Sequence, residues 1–153
     1  MLKKGDIAPI LLGKDQNGKE ISTSDYLGKK LAIYFYPKDN TPGCTVQACN
    51  LRDNESALLA AGISVIGISA DSEASHLKFE QKFELNFPLI ADVERKTIDA
   101  FGVWGEKKFM GKIYDGIFRT TFLINEHGTI EAVIEKPKTK EHAEEILNIF
   151  KIK

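Results

Sequence analysis

At 153 residues, 42% of them hydrophobic and 28% charged, the chain has the make-up of a globular protein that can bury a core without cross-links. Its net charge of −1 gives no electrostatic case for nucleic acid or an anionic membrane, and no apolar run approaches the ~20 residues of a membrane span. Two cysteines are too few for the disulfide framework of a small secreted domain, and the opening MLKKGDIAPI lacks the apolar stretch of a secretory leader, so a reducing cytoplasm is the expected setting.

Strand and helix signals alternate along the chain. In LLGKDQNGKEIS, an Asn17-Gly18 turn between short apolar runs predicts an N-terminal β-hairpin. Lys30 to Tyr36 is a dense apolar run of β-formers, suited to a buried central strand. A helical pattern then runs from Pro42 to about Ala61, with Gly62 as its stop. Ile63 to Ser69 reads as a second buried strand, Ser72 to Leu85 as an amphipathic helix, and Pro88 to Ala91 as a short strand. Lys96 to Phe101 is a short helix before Gly102. Phe79, Phe83, Phe87, Phe101, Trp104 and Phe109 are expected mostly in the core. Trp104 and Phe109 fall in a loop, FGVWGEKKFMG, and are candidates for a pocket mouth. Phe118 to Asn125 and TIEAVIE are strands joined by a His127-Gly128 turn. A final helix from Thr139, its candidate N-cap, to Phe150 presents Ala143, Ile146, Leu147 and Phe150 on one face. This order predicts a single α/β domain over residues 1–153, with a mixed central sheet flanked by helices.

Both cysteines lie in YFYPKDNTPGCTVQACN, at the carboxyl end of the first long strand, where open α/β sheets gather functional groups. Read as a helix start, Thr41 is the N-cap, Pro42 is N1, Gly43 is N2 and Cys44 is N3. A sulfur at N3 sits among unsatisfied backbone N–H groups at the positive helix end, and both favour a thiolate. Gly43 leaves the approach to that sulfur unblocked. Cys49 lies five residues on. In a straight helix that spacing is ~140° around the axis and ~7.5 Å along it, or ~8.7 Å between Cα atoms. A disulfide needs Cα atoms within roughly 7 Å. The two thiols therefore bond only if the first turns unwind.

Other readings of these residues stay open at this level. Cys44 as an inert core cysteine is one. A structural zinc site needs four ligands, and His76, His127 and His142 show no ligand spacing; they read as surface residues. The same scatter weakens a cysteine–histidine hydrolase. A redox sensor or chaperone-like protein, switched by the same disulfide, is the alternative to an enzyme.

Pro37-x-x-x-Thr41-x-x-Cys44 resembles the P-x-x-x-T/S-x-x-C motif of the peroxiredoxins. DNTPGCTVQACNLRD, the C-x4-C spacing, FGVWGEKKFMGKIYDGI and RTTFLI resemble its bacterioferritin comigratory protein, or PrxQ, subgroup over nearly the whole chain. The resemblance implies a thioredoxin-like fold and a thiol peroxidase needing no cofactor or metal. Cys44 would attack hydrogen peroxide or an organic hydroperoxide and become a sulfenic acid. Cys49 would resolve it as an intramolecular disulfide, recycled by thioredoxin or a similar thiol reductant. Thr41 would hydrogen-bond thiolate and peroxide, Arg119 would stabilise the charge, and Pro37 would shield the pocket. Gln47 stands where many peroxiredoxins carry Glu. A monomer is expected, with neither nucleic acid nor membrane as partner.

Overall fold

The computed structural model describes residues 1–151. The chain opens with the expected hairpin, β1 (Leu11–Lys14) and β2 (Glu20–Ser22), followed by a 3-10 turn at Thr23–Tyr26. Next come β3 (Lys30–Phe35), α1 (Pro42–Asp53), α2 (Glu55–Ala60), β4 (Ile63–Ser69), α3 (Glu73–Phe83), β5 (Leu89–Ala91) and α4 (Lys96–Phe101). The second half holds β6 (Trp104–Phe109), β7 (Lys112–Ile117), β8 (Thr120–Ile124), β9 (Ile130–Glu135) and α5 (His142–Lys151).

Five strands form the central sheet, in the order β5-β4-β3-β8-β9. β3, β4 and β5 are parallel, joined by helical crossovers; β8 and β9 return antiparallel. This is the expected mixed α/β sheet flanked by helices. β3 sits at its centre and is buried on both faces. Leu31, Ile33 and Phe35 pack into a layer closed by the β1–β2 hairpin and α4, with Ile98, Phe101 and Phe122. Ala32, Tyr34 and Tyr36 face the opposite layer, built from α1, α2, α3 and α5. Tyr34 lies opposite Gly67 of β4, where an added Cβ would come within 2.9 Å of the tyrosine ring. Glycine is what lets the large ring fit.

Three expectations need correction. The helical pattern from Pro42 to Ala61 is two helices, not one. The break is at Asn54, whose backbone leaves the helical conformation (φ −108°, ψ 14°) while its side-chain Nδ2 and its own N–H both donate to the Asn50 carbonyl, at 2.7 and 3.2 Å. The stretch read as a loop around Trp104 and Phe109 is a β-hairpin, β6–β7, turning at Met110 and Gly111, both with positive φ. Its strands are largely exposed and lack period-2 alternation, so the strand signal is hidden. Trp104 packs half-buried beneath Arg95, whose guanidinium carbon is 4.2 Å from the ring centroid, while Phe109 is exposed near the hairpin tip. Finally, α5 starts at His142, not near Thr139. Its Ala143 N–H finds an acceptor on another element, the Oδ1 of Asn50, at 2.8 Å.

Candidate active site

The site forms where the centre of the sheet ends. After β3 the chain passes Pro37, half-buried, and turns through Asp39 and Asn40 into α1. Thr41 is the N-cap by backbone: its conformation is extended (φ −92°, ψ 155°) and its carbonyl accepts from Thr45 N at 2.8 Å. Its hydroxyl does not cap the helix; it donates to the Lys38 carbonyl at 2.9 Å and so fastens the turn below. Pro42, Gly43 and Cys44 occupy the first turn of α1, with Cys44 buried against Ala48 and Leu51 in the helical layer.

Arg119, the residue before β8, reaches this turn from across β3. Its Nη2 donates to Cys44 Sγ at 3.2 Å and its Nη1 to Gln47 Oε1 at 2.5 Å. Gln47 is fully buried one turn beyond Cys44, so the guanidinium is held against α1 at two points. Gly43 has a role beyond open approach: a Cβ there would lie 3.3 Å from Arg119 Nη2. The space above Gly43 belongs to the guanidinium.

Two further residues border this centre that the sequence did not single out. Lys107 on β6 donates from Nζ to the Ile117 carbonyl at 2.9 Å. Burial lowers its ammonium below the ordinary lysine range, the Arg119 charge adds to this, and Cys44 opposes it. Tyr34 lies beneath α1, and burial, reinforced by Cys44 and Asp39, holds its phenol well above the ordinary range. Its hydroxyl and the Nε2 of Gln47 have no hydrogen-bond partner among the described residues. Lys107 was hidden with the hairpin that carries it, and Tyr34 inside an apolar run.

Cys49 is partly buried on the same unbroken α1, and both cysteines are free thiols. Helix geometry keeps their Cα atoms ~8.7 Å apart, beyond the roughly 7 Å a disulfide allows.

The histidines depart from expectation. His127 is exposed, but His76 and His142 are fully buried. His142 on α5 meets the Thr121 hydroxyl at 2.8 Å through Nε2 and Glu145 Oε1 at 3.1 Å through Nδ1. Burial lowers its affinity for a proton, Glu145 opposes this, and Arg119 adds to the lowering. His76 on α3 joins Asp39, as described below. Both were misread because their partners lie on other elements or carry no periodic signature.

The AhpC/TSA family model matches residues 4–133. The chain is 49% identical over 150 residues to Peroxiredoxin Bcp of Escherichia coli, covering 98% of this chain and 96% of that one. It is 44% identical over 147 residues to Peroxiredoxin Bcp of Bacillus subtilis, covering 96% and 94%. Among solved structures, the bacterioferritin comigratory protein of Xanthomonas campestris, studied for its alkyl peroxide reduction activity, superposes with a TM-score of 0.85 at 34% identity. The match covers 94% of this chain and 90% of that one. The sheet, the helix carrying Cys44 and the relatives agree with the expected thioredoxin-like fold, and the chain belongs to the AhpC/TSA family as a peroxiredoxin of the Bcp/PrxQ kind, an enzyme that reduces peroxides with a cysteine thiol.

Proposed function

We propose that Cys44 is the peroxidatic thiol, that Cys49 resolves it within the same chain, and that a thioredoxin-type dithiol in the cytoplasm recycles the product. The observation that carries this reading is the Arg119 guanidinium 3.2 Å from Cys44 Sγ at the first turn of α1. A fixed cation and the positive end of a helix both attract negative charge to the sulfur. The thiolate attacks the distal oxygen of a hydroperoxide; the O–O bond breaks, and the leaving oxygen departs as water or an alcohol once protonated. Arg119 stabilises the charge that moves onto that oxygen, a role its contact with Cys44 Sγ supports. Thr41, in the same turn, keeps its hydroxyl hydrogen on the Lys38 carbonyl and offers the hydroxyl oxygen as acceptor to the peroxide O–H, and Pro37 shields the loop side. The named activity of the Xanthomonas protein supports organic hydroperoxides beside hydrogen peroxide as substrates.

Cys44 is left as a sulfenic acid. The Cys49 thiol then displaces its hydroxyl as water, giving a Cys44–Cys49 disulfide, and a dithiol reductant restores both thiols. The disulfide step requires α1 to unwind. No partner chain is needed for either step, in keeping with a monomer.

One equivalent of hydrogen peroxide should consume both thiols of the reduced protein and lower its mass by two hydrogens. Cys44→Ser should abolish turnover. Cys49→Ser should keep the first step and lose thioredoxin-dependent recycling. Two thiols surviving a modest excess of peroxide would overturn the assignment, and single oxidation without turnover in the presence of a thioredoxin system would mark a sensor.

A further inference from the structure

The disulfide step needs part of α1 to unwind, and two side-chain clamps flank the part that must move. Upstream, Asp39 is fastened to Tyr36 of its own loop, to α3 and to the loop that leads into α3. Its Oδ1 accepts from the Tyr36 hydroxyl at 2.6 Å, and its Oδ2 accepts from Ser75 Oγ at 2.8 Å and meets His76 Nδ1 at 2.7 Å. Its backbone N–H donates to Asp71 Oδ2 at 2.9 Å, and Asp71 is held in turn by the Ser69 hydroxyl at 2.6 Å. The other nitrogen of His76, Nε2, lies 2.9 Å from the Ile90 carbonyl, which can only accept. Nε2 therefore carries a hydrogen, while Nδ1 faces the Asp39 carboxyl. Both groups are almost wholly buried, so parting them would strand a buried polar pair. The donor atoms of Asp39, Asp71 and His76 lie within 4.8 Å of one another, but each is spent on these contacts.

Immediately after this clamp comes Asn40, at φ 59°, a backbone state uncommon outside glycine. From Asn40 to Cys49, the described side-chain hydrogen bonds go to Lys38, to Arg119 and, from the exposed Asn40, to Lys82. One of the two Arg119 contacts is to the very sulfur that oxidation changes.

Downstream, the residue after Cys49 is fixed again. Asn50 Nδ2 donates to the Lys140 carbonyl at 2.9 Å, and Asn50 Oδ1 accepts from Ala143 N at 2.8 Å. One side chain thereby brackets the start of α5 and ties it to α1. Arg52, two residues on, donates to the Phe83 carbonyl at the end of α3.

We propose that Asp39 and Asn50 are positioning residues that confine the unwinding to residues 40–49. Cys44 is then the thiol that travels, while Cys49, the last residue of the freed segment, stays tethered next to Asn50 on the part of α1 that holds. The proposal rests on the Cys44–Cys49 disulfide assigned above. Each clamp also opposes opening, so it lengthens the life of the sulfenic acid in the folded site. A second peroxide can then compete with Cys49 and carry the sulfur to the sulfinic acid.

The test is hydrogen–deuterium exchange of the full chain, reduced and after one equivalent of hydrogen peroxide, beside intact mass. In the wild type, oxidation should raise exchange in residues 40–49 and leave 36–39 and the start of α5 protected. In Asp39→Ala the increase should spread upstream, and in Asn50→Ala into α5. Each variant, normalised to its own first-step rate, should give roughly fivefold less sulfinic acid at a matched peroxide excess, the factor for about one lost net hydrogen bond. Asp39→Asn keeps the shape but reaches the same partners only with hydrogens reversed on one arm, its amide nitrogen donating where a carboxylate oxygen accepts, and should fall between Asp39→Ala and wild type. Oxidation that loosens 36–39 or α5 in the wild type overturns the proposal, even if neither variant folds. So does a folded Asp39→Ala or Asn50→Ala with wild-type exchange and wild-type sulfinic acid. An intact mass showing no internal disulfide overturns this inference together with the assignment beneath it; a disulfide with unconfined exchange overturns the clamps alone.

Discussion

Arg119 Nη2 lies 3.2 Å from Cys44 Sγ, a contact made across 75 residues of chain. Gln47 holds the same guanidinium through its other arm. The cation is thus locked to the helix that the proposed Cys44–Cys49 disulfide would have to open, and its grip on sulfur would end with that opening.

Arg119→Ala should slow the reaction of Cys44 with hydrogen peroxide by about 10²–10³-fold, the scale for losing one pre-placed donor to developing charge. Arg119→Lys should recover only part of this, because an ammonium cannot span Cys44 and Gln47 together. Stopped-flow measurement of the first step checks it. A loss under about threefold for Arg119→Ala would mean the contact is structural.

Gly43→Ala should act twice. The new methyl lies 3.3 Å from Arg119 Nη2, so the guanidinium must give by a few tenths of an ångström. Alanine also favours the helix by up to about 1 kcal/mol over glycine. The first step should slow a few-fold and disulfide closure should slow as well, so more sulfinic acid forms at a given peroxide excess. Faster disulfide closure would contradict this account of α1.

Tyr34→Phe removes a buried hydroxyl with no described hydrogen-bond partner and leaves the ring's stacking on Tyr36 in place. Urea unfolding should show no loss, and a gain of about 1 kcal/mol, because the cost of burying that hydroxyl disappears. Destabilisation of similar size would show that the phenol is satisfied in solution.

His142 sets a pH dependence of stability. Burial lowers its folded-state proton affinity below the ordinary imidazole value of 6.5, so below that pH the unfolded chain binds more protons. The stability contribution is present above 6.5 and is lost as the pH falls through the folded value. The neutral ring donates from Nδ1 to Glu145 and accepts from the Thr121 hydroxyl at Nε2; a second proton destroys that acceptor. Unfolding midpoints of His142→Gln should therefore vary less between pH 7 and 5 than those of the wild type. An equal slope in both proteins would remove His142 from the cause.

Much of this was legible from local pattern. The strands at Ile63–Ser69 and Leu89–Ala91, the helix at Lys96–Phe101 and the hairpin at Asn17-Gly18 follow from apolar runs and turn residues. The helix start at Thr41-Pro42 was legible for the same reason: the fixed φ of Pro42 suits the first helical position and acts on its own residue. The β6–β7 hairpin was not, because exposed strands lack alternation and its turn uses Met110-Gly111 where Asn-Gly would announce it. The break at Asn54 is a change of backbone conformation at one residue inside a helical pattern.

The sequence by itself determined the strand–helix order, the N3 position of Cys44 and the five-residue interval to Cys49. These depend on backbone geometry over a few residues, and from them alone it follows that a Cys44–Cys49 disulfide would need the helix to open. Only the tertiary structure decided what surrounds that helix. Arg119 joins Cys44 because β8 pairs antiparallel with β3. His76 meets Asp39 because α3 packs on the loop after β3, and Asn50 holds α5 because the two helices share one layer. Such contacts join residues tens of positions apart, and no local spacing encodes which distant side chain will satisfy a buried polar group.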